Sequence, residues 1–98
     1  MNHVAVIGAV VLSALTSINP AGAYTWQVER CAELYMTRNT FYDNKGLCFT
    51  RPTAIQYFPN NKFTCTIRNS AYLPMSQKEK QWVDRIVAEE RALGCPRI

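Results

Sequence analysis

The chain is nearly without histidine: His3 is its one imidazole. It has no charged side chain before residue 24, no apolar run near 20 residues and no closely spaced cysteine pair. Each absence excludes something. The longest apolar run, Val4 to Leu15, is 12 residues, whereas a membrane-spanning helix needs about 20. Zinc ligands usually come as pairs two to four residues apart, because one turn must present both sulfurs. Here 16, 16 and 29 residues separate Cys31, Cys48, Cys65 and Cys95. There are also no repeats, no low-complexity tract and no linker.

What is present divides the chain in two. The run from Val4 to Leu15 has the length of a signal-peptide core, although Met1-Asn2-His3 before it carries no Lys or Arg. Asn19-Pro20 breaks a helix, and Ala21-Gly22-Ala23 offers small side chains three residues and one residue before a cut. Residues 1–23 are therefore expected to be a cleaved signal peptide, rather than a buried helix or a retained anchor. Residues 24–98 are expected to be a single mature domain beginning at Tyr24. No Cys directly follows the small residues, so neither a lipoprotein anchor nor any permanent membrane anchor is expected after cleavage. The mature part keeps all 18 charges and all four cysteines but loses its histidine. That loss removes Ser-His-Asp and Cys-His sites, histidine acids and histidine metal ligands.

Four cysteines in a small exported domain read as disulfides. Three connectivities are open, and each bridge would contribute roughly 3–4 kcal/mol by loop entropy, less any strain. Domains of this size often need such staples.

The mature chain reads as mainly α. A first helix is expected from about Trp26 to Asn44, with Cys31, Leu34, Tyr35, Phe41 and Tyr42 at three- and four-residue spacing. Thr25 is its candidate N-cap and Gly46 its stop. A short second helix has Thr50-Arg51-Pro52-Thr53 as cap and first turn, with Ala54, Ile55, Tyr57 and Phe58 as its contact surface. Lys62 to Arg68 alternates Phe63, Cys65 and Ile67 with polar residues. This segment is read as a minor strand beside Leu47-Cys48-Phe49 or as an irregular loop. The last helix opens on the capping box Ser76-Gln77-Lys78-Glu79, presents Trp82, Val83, Ile86, Val87 and Leu93, and ends at Gly94.

Arg38 lies in the middle of the first apolar stripe, and a charge there must reach solvent or find a partner. If Cys31 bonds Cys95, the two long helices run antiparallel. Moving seven residues in from Cys31 reaches Arg38, and five or six in from Cys95 reaches Glu90 or Glu89. An Arg38–Glu90 pair is expected inside the interface, with Glu89 the second choice. The same argument favours Cys31–Cys95 together with Cys48–Cys65. The fold class is thus a disulfide-stapled domain with two longer antiparallel helices, one short helix and an irregular or minor β segment.

Arg38-Asn39, Phe41-Tyr42, Gly46, Phe49, Tyr57-Phe58 and the Ser76…Glu79 helix start together resemble the YARHG domain, over roughly 65 residues. The eponymous Tyr-Ala-Arg-His-Gly run appears here as Tyr42-Asp43-Asn44-Lys45-Gly46, so only Tyr42 and Gly46 match. The resemblance implies an extracytoplasmic bacterial domain, here in a cysteine-bearing version. It also implies a role in binding cell-wall or envelope material and no agreed enzymatic activity. From the residues themselves, Arg38 is expected to be a buried-pair donor and Asn39 a link to backbone. Gly46 is a helix stop, and Tyr42 and Phe49 are core.

The balance of 11 Lys+Arg against 7 Asp+Glu gives +4, which suits an anionic partner. Arg30, Arg51, Lys62, Arg68, Lys78, Lys80 and Arg85 are the solvated candidates. The expectation is a non-catalytic exported domain, periplasmic or secreted, that binds an anionic envelope polymer or an envelope protein. No cofactor, metal or nucleic acid is expected. A small secreted inhibitor or chaperone-like binder is the alternative, and would favour an exposed patch around Tyr24, Trp26 or Tyr72-Leu73-Pro74. An enzyme is the least favoured reading: Glu89 and Glu90 are about 100° apart on a helix and cannot face one substrate together. Mass spectrometry of the exported protein should find Tyr24 at its N-terminus. Retention of residues 1–23 would overturn the division of the chain.

Overall fold

The computed structural model describes residues 26–98. The expected signal peptide, with Ala21 and Ala23, lies outside them, as do Tyr24 and the Thr25 cap. The described chain is mainly helical. Helix α1 occupies residues 26–44, α2 is Pro52–Tyr57, and α3 is a single turn, Asn61–Thr64. A 3₁₀ turn at Ser70–Tyr72 leads into α4, Gln77–Leu93.

The two long helices end alike. Gly46 follows α1 at φ 95° and Gly94 follows α4 at φ 71°, a region that costs glycine nothing and other residues a good deal. The Gly46 N–H donates to Asp43 O and the Leu47 N–H to Tyr42 O. In α4 the Gly94 N–H donates to Arg91 O and the Cys95 N–H to Glu90 O. These are paired Schellman closures that satisfy the last carbonyls. The start of α4 carries the complete capping box: Ser76 accepts from the Glu79 N–H, and Glu79 accepts from the Ser76 N–H. Helix α2 differs from expectation. Pro52 takes its first turn, but the N-cap position is Arg51 and no side chain caps it.

Contacts between α1 and α4 run in opposite order along the chain. Cys31 is bonded to Cys95, with Cα atoms 5.5 Å apart. Arg38 pairs with Glu90, Phe41 meets the edge of Trp82 at 5.2 Å, and Lys45 pairs with Glu79 at 2.9 Å. The helices are therefore antiparallel. Arg38 Nε donates to Glu90 Oε1 at 2.8 Å and Arg38 Nη2 to Oε2 at 3.0 Å, the bidentate fork that suits arginine. The two side chains are only 22% and 13% exposed. Burial works against the Arg38 charge, but the hydrogen bonds and charge of Glu90 outweigh it and raise the guanidinium pKa. Neighbouring Glu89 turns to a different partner: Arg30 Nε donates to its Oε2 at 2.6 Å. That bond holds the Glu89 carboxyl below its ordinary range. Arg30, read above as solvated, is thus engaged by both Glu33 and Glu89.

The core is small. Leu34, Tyr35, Ala54, Leu73, Val83 and Ile86 are its buried apolar residues, and among the described residues no side chain is completely enclosed. Tyr42 and Phe49, expected in the core, are half-buried. Leu73, read above as part of an exposed patch, is buried, while Tyr72 beside it is 76% exposed.

The segment read as a strand is the main correction. Residues 61–64 are helical, and only Ile67 forms a bridge, parallel to Leu47. The reason is Asn61, buried to 5% exposure. Its Oδ1 accepts the Phe49 N–H at 2.9 Å, and its Nδ2 donates to Asp43 Oδ1 at 2.7 Å and Leu47 O at 2.8 Å. One amide thus ties the end of α1, the loop after it and α3. With Asn61 pinned inside, Phe63 projects outward at 77% exposure, so the alternation does not separate two faces. The Cys48–Cys65 disulfide closes the same region, with Cα atoms 4.9 Å apart.

Asn61→Ala removes three hydrogen bonds at once and should cost about 2–3 kcal/mol in urea unfolding with both disulfides intact. Arg38→Ala strands a largely buried carboxylate and should cost about 2–4 kcal/mol, whereas Arg38→Met with Glu90→Leu should recover most of that loss. A double-mutant cycle showing no coupling between positions 38 and 90 would contradict the structural role of the pair.

Candidate functional site

A cavity of about 450 Å³ opens where α1, the loop after it, α2 and the chain beyond α4 converge. Its lining is unusual in charge. Arg51, Arg68, Arg91 and Arg97 line it together with the Arg38–Glu90 pair. Glu90 is the one acidic side chain among the lining residues, and Arg38 neutralises it. Counting side chains, the cavity therefore carries four uncompensated positive charges. Among the described residues, the ion pairs engage Arg30, Arg38 and Lys45, and none engages these four arginines.

Each wall has a local cause. The Schellman turn at Gly46 reverses the chain and places Cys48 and Phe49 beside Tyr42. Pro52 starts α2 so that Arg51 stands at its entrance, exposed and capped by nothing. The Cys31–Cys95 bridge folds the chain after Gly94 back towards α1, which brings Pro96 and Arg97 into the wall. Arg51 Nη1 makes a long 3.5 Å contact with Arg97 O across the opening.

The floor is aromatic. The Arg38 guanidinium carbon lies 5.9 Å from the ring centres of both Tyr35 and Tyr42, within cation–π range. Asn39 is buried and its Nδ2 donates back to Tyr35 O at 2.9 Å, a link to backbone within α1. The Tyr35 hydroxyl is buried and has no hydrogen-bond partner. Burial raises its pKa against the opposing charge of Arg38, so the phenol stays neutral and keeps a proton to donate. A buried unpaired hydroxyl is costly and uncommon.

The residues singled out from sequence gather here. Arg38, Asn39, Tyr42, Cys48, Phe49, Glu90 and Cys95 all line the cavity. Gly46 shapes the turn behind it, and Cys31 and Cys65 hold its walls from outside. Arg91 and Arg97 escaped the sequence reading, and Tyr35 figured only as part of an apolar stripe. The turn that follows α4 was the available signal: once Cys95 is tethered to Cys31, the arginines beside it must approach α1. Among the described residues no group of three or more His, Cys, Asp or Glu could hold a metal ion. No helix among them is long and apolar enough to cross a membrane.

Such an arrangement suits oxyanion binding. Guanidinium forks match carboxylate and phosphate oxygens bidentately, and low-dielectric walls concentrate a field of one sign.

No curated protein and no solved structure matches the chain. The model of the YARHG domain matches residues 10–91, well over half of the sequence. Arg51, Arg68 and Arg91 fall inside that span, whereas Cys95 and Arg97 follow it. At the eponymous run the chain has substituted contacts of its own: Asp43 accepts from Asn61, and Lys45 pairs with Glu79. The chain belongs to the YARHG domain family.

Proposed function

We infer that this is a non-catalytic binding module of the cell envelope, which takes an oxyanion group of envelope material in the arginine cleft. The convergence of Arg51, Arg68, Arg91 and Arg97 on one cavity whose single acidic side chain is already paired carries the reading. Two disulfides among the described residues fit an oxidising, non-cytoplasmic compartment. The carboxylates most suggestive of catalysis are already engaged, Glu89 by Arg30 and Glu90 by Arg38. That supports a binding role over acid–base chemistry.

Glycerol phosphate is a suitable probe, because it presents the oxyanion without the rest of any polymer or lipid. Titration should shift the Nε–H signals of Arg51, Arg68, Arg91 and Arg97 in NMR spectra and leave that of Arg85 in place. Affinity should fall as salt rises. Arg51→Ala combined with Arg68→Ala should weaken binding by about tenfold or more, while Lys62→Ala with Lys80→Ala should not. Shifts spread evenly over all arginines, or no saturable shift at low salt, would remove the reading.

A further inference from the structure

A second cavity, about 480 Å³, lies against the first and is built from different chemistry. Val28, Ala32 and Met36 follow one another at four-residue spacing on α1 and form one side of it, with Tyr57, Leu93 and Ile98 on the others. Arginine and lysine are absent from its lining. The two cavities share Tyr35, Glu90, Cys95, Pro96 and Ile98. The partition between them is therefore the strap that follows α4, held by the Cys31–Cys95 bridge. Glu90 contributes no free charge to that partition, since Arg38 occupies both its oxygens. The unpartnered Tyr35 hydroxyl belongs to a residue that lines both sides.

We propose that the two cavities form one site for an anionic amphiphile carrying a single acyl chain, its acidic head among Arg51, Arg68, Arg91 and Arg97 and its chain along Val28, Ala32 and Met36. This rests on the oxyanion reading of the arginine cleft and adds to it the apolar half of the ligand. Charge complementarity sets the head, and the uncharged stripe next to it sets the tail. Tyr35 lines both cavities and so stands where the polar and apolar parts of the ligand meet. Both cavities fall within the size range of small-ligand sites.

The test uses the disulfide-bonded protein obtained from the full sequence and three probes below their micelle concentrations. Lauroyl lysophosphatidate carries head and chain, glycerol phosphate the head alone, and monolauroylglycerol the chain on a neutral head. Isothermal titration should show lauroyl lysophosphatidate binding about a hundredfold more tightly than glycerol phosphate, the gain expected from burying three or four methylenes. Monolauroylglycerol should bind far more weakly than lauroyl lysophosphatidate. Ala32→Trp, at an exposed helical position that faces the apolar cavity, should abolish the gain and leave glycerol phosphate binding intact. Equal affinity for lauroyl lysophosphatidate and glycerol phosphate would overturn the amphiphile site and leave the arginine cleft standing. Equal affinity for lauroyl lysophosphatidate and monolauroylglycerol would overturn it by removing any role for the acidic head. Binding of none of the three would overturn both readings. A chain-dependent gain that survives Ala32→Trp would place the acyl chain elsewhere and overturn the assignment.

Discussion

A guanidinium set in the middle of an apolar helix stripe has to be answered, and the answer organises this molecule. Arg38 is only 22% exposed in the α1–α4 interface, and Glu90 meets it with both oxygens. Such a pair contributes less to stability than its geometry suggests, because both ions give up hydration. What it supplies is registration. With Arg38 opposite Glu90, Phe41 falls beside Trp82, Lys45 reaches Glu79 and Arg30 reaches Glu89. The adjacent glutamates therefore serve different arginines, two helical turns apart on α1. The same pair then forms the floor of the arginine cleft, and Glu90 is part of the partition shared with the apolar cavity.

Local chemistry made much of this legible beforehand. A capping box, two glycines after apolar stripes and a misplaced arginine are each readable within a few residues, and each has a short-range physical cause. The Arg38–Glu90 pairing was reachable because a disulfide between helix ends converts spacing into register. The region from 61 to 67 resisted such reading. Its alternation of Phe63, Cys65 and Ile67 suggests a two-faced strand, but a buried amide from Asn61 decides the backbone instead. Nothing in the sequence marks that asparagine as different from Asn60 beside it. The cleft was hidden for a related reason. Arg91 and Arg97 lie at the far end of the chain from Arg51, and only closure of the tertiary fold gathers them.

The cations of the seam and those of the cleft differ in how they are answered. On the α1–α4 seam every cation has an acid: Arg30, Arg38 and Lys45 are all matched. In the cleft the four remaining arginines have none. A protein selecting only for solubility would have little reason to keep these apart. The departures from the family run belong to the matched side, where Asp43 and Lys45 secure the end of α1.

The two cross-links are nested, with Cys48–Cys65 lying wholly inside the loop closed by Cys31–Cys95. Nesting has a consequence for survival among proteases. A single cut anywhere between residues 31 and 95 leaves the chain in one covalent piece. A second cut is tolerated as well, provided that one of the two falls inside the inner loop and the other outside it. The exposed turn carrying Phe63 lies within that inner loop. A peptide bond broken there separates no part of the molecule from the rest.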